Sequence, residues 1–68
     1  MLILKTDIKS KRDFVHVEDS LRSYYSINEC TIDLEDHDKV LRITGKDLNQ
    51  DDIISRVNDF GFRCEDLQ

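Results

Sequence analysis

The sequence contains few of the residues that break or cross-link a chain. Its 68 residues include no proline, no tryptophan, two glycines and two cysteines. Hydrophobic residues make up 38% and charged residues 37%, which is typical of short regular elements joined by polar turns and excludes a disordered chain. We expect one domain over residues 1–68, with a core that uses nearly every apolar side chain, because so short a chain has little apolar surface to spare.

Long apolar runs and an excess of positive charge are also missing. The opening MLILKTDIK has four apolar residues before Lys5, too few for a signal peptide or a membrane span, and no later run is longer. The net charge of −5 argues against nucleic acid, since phosphate binding needs a basic surface. We therefore expect a cytoplasmic protein without membrane insertion, whose partner is another protein with a basic or neutral surface.

The spacing of apolar residues predicts the secondary structure of the first half. Alternation predicts a strand over residues 2–8, and recurrence at three and four residues predicts a helix from Phe14 to about Ser26. Alternation returns in CTIDL, residues 30–34, and in VLRIT, residues 40–44. The polar segment EDHDK separates these two strands, so the pair is predicted to form a hairpin.

The second half predicts another helix and a last strand. LNQDDIISRVNDFGF begins at a good N-cap, Asn49, and ends at Gly61, which suits the left-handed position after a helix. FRCEDL predicts a short strand. The order strand-helix-strand-strand-helix-strand indicates an α+β fold, the ferredoxin-like βαββαβ sandwich. In this fold a four-stranded antiparallel sheet of order 4-1-3-2 is covered by two helices on one face.

The two cysteines fall on opposite edge strands of that sheet. Three strand spacings of about 4.8 Å would separate Cys30 from Cys64, whereas a disulfide requires Cα atoms within about 7 Å. The sequence therefore predicts two buried, unpaired thiols that pack as small hydrophobic groups.

The hydrophobic spacing resembles that of the heavy-metal-associated domain of copper chaperones and metal-transporting ATPases over nearly the whole chain. The matching segments are Val17 and Leu21, Ser26-Ile27, TIDL, VLRI, Ile53 and Val57, and GFRC. The resemblance implies the same fold, with a glycine and an aromatic residue after the second helix at Gly61 and Phe62. Members of the family carry a Cys-x-x-Cys motif after the first strand. Counting back from Val17 aligns its cysteines with Ser10 and Asp13, so the loop here reads SKRD.

The SKRD loop lacks the soft ligands of the family site. Two thiolates suit Cu(I), whereas Ser10 and Asp13 offer hard oxygen atoms beside the cations Lys9, Lys11 and Arg12. We expect no metal and no cofactor there. The loop should start the helix, either with Ser10 and Asp13 as a capping box or with Asp13 as the N-cap. We favour Asp13, because Lys11 and Arg12 inside the first turn would oppose the helix dipole. An anion site at the three cations is the functional alternative.

These observations predict a non-enzymatic relative of that domain without its metal site, acting as a protein-interaction or regulatory module. The candidate partner surface is the acidic second strand and its turn, to which an extended basic segment could add. Its residues are Glu29, Thr31, Asp33, Glu35, Asp36, His37 and Asp38. Charges on an edge strand also prevent aggregation, and that interpretation stays open. The alternative function is a metal carrier in metal homeostasis that uses Cys30, Cys64 or His16 between chains.

Overall fold

A computed structural model describes residues 1–67 of the chain. Its elements are β1 (Leu2–Thr6), α1 (Lys11–Tyr24), β2 (Ser26–Ile32), β3 (Leu41–Lys46), α2 (Gln50–Asp59) and β4 (Cys64–Asp66). The strands form one antiparallel sheet of order β2-β3-β1-β4, which is the predicted order read from the other edge. The predicted ferredoxin-like α+β fold is therefore confirmed.

The bounds of the elements differ from the prediction at their polar ends. β1 ends at Thr6 rather than at residue 8, because the Thr6 hydroxyl donates to Lys39 O (2.7 Å) and accepts from Ile8 N (3.3 Å), which turns the chain. β3 begins one residue later than predicted and continues to Lys46. β4 is confined to three residues, Cys64–Asp66.

The largest difference is at β2, which begins at Ser26, four residues before the predicted start. α1 ends at Tyr24, so helix and strand are joined by Tyr25 alone, in an extended conformation. The β2–β3 register shifts between Ile27 and Glu29, and a shift of this kind interrupts the alternation of side chains. The sequence pattern consequently became recognisable only beyond the bulge.

Both glycines have a clear structural reason. Gly45 faces the start of β2, where a Cβ atom on residue 45 would lie 2.3 Å from Ser26 O. Gly61 has φ +95° directly after the cap of α2, a conformation that side chains disfavour, which confirms its predicted role in ending the helix. Asn49 is the N-cap of α2, as predicted, and its side chain accepts from Asp52 N (2.9 Å).

The hydrophobic core lies between the sheet and the two helices. Both helices, the central strands and Ile8, which follows β1, supply fully buried side chains to this one cluster, so both helices cover the same face of the sheet. The residues are Leu4, Ile8, Val17, Leu21, Leu41, Ile43, Ile53 and Val57. Within residues 1–67, neither helix is long and apolar enough to cross a membrane.

Candidate functional site

The junction between β1 and α1 is organised by Ser10. Its backbone is extended, and its Oγ accepts a hydrogen bond from Asp13 N (3.1 Å), so Ser10 is the N-cap and α1 begins at Lys11. The expectation that Asp13 caps the helix is therefore wrong. Asp13 instead occupies the third helical position, where its negative charge interacts favourably with the helix dipole. That carboxylate opposes the unfavourable charges of Lys11 and Arg12 in the same turn.

The donor atoms at this junction do not suit a soft metal ion. Ser10 Oγ already accepts the capping hydrogen bond, and Asp13 supplies only hard carboxylate oxygen atoms. Lys9, Lys11 and Arg12 are exposed around them and add positive charge. Within residues 1–67, no group of three or more His, Cys, Asp or Glu residues is arranged to hold a metal ion. The oxygen donors and cations here thus do not fit Cu(I).

Both cysteines are buried in the sheet, and Cys64 lies opposite Thr6 at the end of β1. Cys30 and Cys64 are unpaired and buried on the two edge strands, which confirms the prediction from the strand order. Burial raises the pKa of the Cys30 thiol to about 11, with a further contribution from Glu18. Burial, assisted by Glu65, raises the pKa of Cys64 to about 11. With these raised pKa values both thiols are protonated at neutral pH. The thiolate is the reactive and metal-binding form, so neither cysteine favours reaction or metal binding there.

The third metal-ligand candidate, His16, lies on α1 and is exposed. The two cysteines are on β2 and β4, with β3 and β1 between them. The fold therefore does not bring both cysteines and His16 together as one ligand set within residues 1–67.

The predicted acidic surface includes the hairpin tip, where two carboxylates accept hydrogen bonds from the backbone of the turn. Asp33 Oδ1 accepts from Glu35 N and Asp36 N, both at 3.2 Å. Asp36 Oδ1 accepts from Asp38 N at 2.8 Å. Asp33 and Asp36 therefore shape the turn, while their negative charges remain at the tip.

Asp38, at the end of the hairpin tip, also contacts the central strand β1. Its carboxylate is 3.7 Å from Lys5 Nζ on β1, and its backbone oxygen accepts from Thr6 N at 3.0 Å. The candidate surface is thus divided into two parts. Glu29, Thr31 and Asp33 follow the β2 edge, whereas Asp38 packs beside β1.

Arg22 lies on α1 and contacts the edge strand β2, a role that sequence reasoning missed. Its Nη1 donates to Ile27 O at 3.0 Å, and its Nε and Nη2 each lie 3.1 Å from Glu18 Oε2. The four-residue spacing of Glu18 and Arg22 on a predicted helix could have indicated their ion pair. The contact with Ile27 could not be read from the sequence, because it depends on the abrupt passage from α1 to β2.

A second missed cluster joins the ends of the helices. The guanidinium carbon of Arg56 lies 3.6 Å from the ring centroid of Tyr24, and its Nε is 3.3 Å from Asp52 Oδ2. The Tyr25 hydroxyl donates to the same carboxylate oxygen. These contacts hold the end of α1 against the beginning of α2.

A shallow depression of about 340 Å³ lies where β1, β4 and the hairpin tip meet. Its lining residues are Lys5, Thr6, Asp7, His37, Arg63 and Glu65. Asp7 Oδ1 accepts from Arg63 N at 2.8 Å, and Glu65 lies opposite Lys5 in the β1–β4 register. The cations and carboxylates alternate, so the depression does not select an ion of either sign.

No family model and no curated protein match the chain. Among solved structures, the chain is similar to the yeast copper transporter domain CCC2A, determined in solution in the apo and Cu(I)-loaded states. The TM-score is 0.80 at 23% sequence identity, and the alignment covers 98% of this chain and 93% of the yeast domain. At that identity the likeness establishes the fold alone: the chain has the ferredoxin-like fold of a copper-transport domain, and no Cys-x-x-Cys occurs in its sequence.

Proposed function

We propose that this protein is a non-enzymatic, cytoplasmic interaction module that has the heavy-metal-associated fold without the family's metal chemistry. The observation that carries the proposal is the β1–α1 junction. Ser10 Oγ caps α1 and the Asp13 carboxylate lies in its first turn, so both positions that we align with the family cysteines serve to begin the helix here. A capping serine contributes about 1 kcal/mol to stability, which is reason enough for its presence.

The chemistry of the remaining candidate ligands supports the same conclusion. Binding Cu(I) through Cys30 or Cys64 requires deprotonation of a buried thiol whose pKa is about 11. The two sulfur atoms belong to opposite edges of the sheet, so one chain cannot direct both at a single ion. A carrier built on these residues would need a second chain and a rearranged core.

The charge distribution supports a protein partner. The net charge of −5 and the exposed Glu29, Asp33 and Glu35 favour approach of a basic segment and disfavour nucleic acid. Asp36 and Asp38 add to the negative charge of the hairpin tip. Lys9, Lys11 and Arg12 form a basic surface at the β1–α1 junction, separate from the acidic residues. A regulatory partner with an acidic surface would contact this basic surface instead.

A competition titration tests the proposal. The reduced full chain is titrated with Cu(I) and, separately, with Zn(II) against a chromophoric chelator. We expect no binding tighter than micromolar, because no pair of soft ligands converges. Stoichiometric nanomolar binding contradicts the proposal, and its loss in Cys64→Ser or His16→Ala identifies the metal carrier as the function.

A further inference from the structure

The outer edge of β2 presents its backbone groups at alternate residues. Asp33 N donates to Val40 O at 3.0 Å, so residue 33 is a hydrogen-bonded position of the ladder with β3. Such positions alternate along an antiparallel strand, and Thr31 is therefore also bonded to β3. The intervening residues, Cys30 and Ile32, direct their N–H and C=O groups away from the sheet. These groups are the ones that another strand can reach.

Long cationic side chains close the edge on both sides of Cys30–Ile32. On one side, Arg22 Nη1 donates to Ile27 O at 3.0 Å. On the other, Lys39 Nζ donates to Leu34 O at 2.8 Å. Both carbonyl oxygens are thereby engaged by the protein's own side chains. The segment Cys30–Ile32, which we call the edge window, is left between them.

The two sides of the edge window differ in chemistry. Glu29, Thr31 and Asp33 are exposed on the outer face, while Cys30 is buried and Ile32 half-buried on the helix-covered face. A strand added beside them alternates between these environments. Basic side chains on its outer face would meet Glu29 and Asp33, and apolar side chains on its other face would extend the core beside Ile32.

We infer that the edge window receives one extended segment of a partner protein, in which basic residues alternate with apolar ones. This inference deepens the proposed function and rests on it. A second copy of the chain is a poorer occupant, because pairing β2 with itself brings Glu29 and Asp33 of two copies together, and like charges on facing strands destabilise the pair. The short length of the window limits the contact to a few backbone hydrogen bonds and makes the charges important for partner selection.

The probe is a fluorescent peptide of about seven alternating lysine and valine residues, a length typical of a strand. One control peptide has glutamate in place of lysine. Another keeps the lysines but carries N-methyl groups on alternate amides, which removes the hydrogen-bond donors along one edge. Binding to the full chain is followed by fluorescence anisotropy at low and high salt. Amide hydrogen exchange by NMR is measured on the same complex.

We expect the lysine peptide to bind and both control peptides to bind roughly tenfold more weakly, since each removes one source of affinity. Exchange of the Cys30 and Ile32 amides should slow in the complex. The Thr31 amide, already bonded to β3, should change little. This alternation at adjacent residues distinguishes strand addition from non-specific attraction by the acidic surface.

Matched variants test the role of charge. Glu29→Lys should weaken binding severalfold at low salt, by an amount in the range of cross-strand charge pairs. Asp59→Lys makes the same change of charge at the exposed end of α2 and should leave binding nearly unchanged. Equal effects of the two variants would overturn the inference, because they would show that only net charge matters.

Unchanged exchange at Cys30 and Ile32 in the presence of a saturating lysine peptide would also overturn it, as would a failure of the peptide to bind. In both cases the charged edge serves to prevent aggregation. These results leave the proposed function intact as long as the chain does not bind Cu(I). Tight Cu(I) binding contradicts the proposed function whatever the peptide does.

Discussion

Replacing both Ser10 and Asp13 by cysteine exchanges a helix cap for two thiols at the positions that our count from Val17 aligns with the cysteines of the heavy-metal-associated family. The structure predicts two opposite effects of this double substitution. Without metal the protein loses the Ser10 Oγ bond to Asp13 N and the negative charge at the third helical position. With Cu(I) it gains a pair of thiolate ligands on a scaffold of the same fold as the yeast copper transporter domain.

The size of the first effect follows from the two lost interactions. Loss of a serine N-cap costs about 1 kcal/mol, and loss of a carboxylate from the first turn costs about 0.5 kcal/mol. The sum of about 1.5 kcal/mol lowers the melting temperature of a domain of this size by roughly 6–12 °C. Cu(I) at about one hundred times its dissociation constant returns about 2.7 kcal/mol, so the loaded variant should melt above the wild type.

Thermal unfolding followed by circular dichroism, with and without Cu(I), measures both effects. The matched control is Ser10→Ala with Asp13→Ala, which should show the same loss of stability and no response to Cu(I). A double-cysteine variant that melts at the wild-type temperature without metal would refute the assignment of Ser10 as the cap. A variant that loses stability but binds no Cu(I) would refute the alignment of residues 10 and 13 with the family motif, unless additional Lys11→Gln and Arg12→Gln substitutions restore binding.

Three further predictions concern other parts of the molecule. Alkylation of Cys30 and Cys64 by iodoacetamide should be slow at pH 7 and should accelerate towards pH 11. Because folding raises the pKa values of both thiols, the free energy of unfolding should fall as pH rises from about 9 to about 11. Fast alkylation at pH 7 would contradict the burial of the thiols. Gly45→Ala should lower the free energy of unfolding by about 1–3 kcal/mol, since a Cβ at residue 45 clashes with the backbone of β2. Urea unfolding measures this loss, and an unchanged midpoint would contradict the contact. Once a natural partner is known, Asp33→Lys with Glu35→Lys should slow its association at low salt, as measured by stopped-flow fluorescence, and an unchanged rate would indicate an interface elsewhere.

Local sequence patterns determined the fold of this protein. Apolar residues repeat every second or every third and fourth position because one face of each element must be buried, and this requirement is visible without knowing the neighbours. Asn49 and Gly61 mark the ends of α2 for equally local reasons, an oxygen atom that reaches a free amide and a backbone that tolerates positive φ. The absence of Cys-x-x-Cys is likewise a property of the sequence alone.

The choice of helix cap and the true start of β2 required the tertiary structure. Ser10 and Asp13 are both competent caps, and the choice depends on where α1 begins after the chain leaves β1 at Thr6, whose hydroxyl donates to Lys39 O. The bulge after Ile27 depends on the register between β2 and β3, so the spacing of apolar residues in the sequence does not predict it.

The candidate partner surface shows the same division. From the sequence, the acidic residues from Glu29 to Asp38 form one run, but folding directs Asp38 towards Lys5 and leaves Glu29 on the edge of the sheet. The closure of that edge by Arg22 joins a helix to a strand, and its closure by Lys39 joins the two ends of a turn. The sequence determined that the edge is charged. Which carbonyl oxygens the long side chains of Arg22 and Lys39 reach depends on the backbone that the fold brings near them. Only the tertiary structure therefore decided which backbone groups of the edge remain accessible to a partner strand.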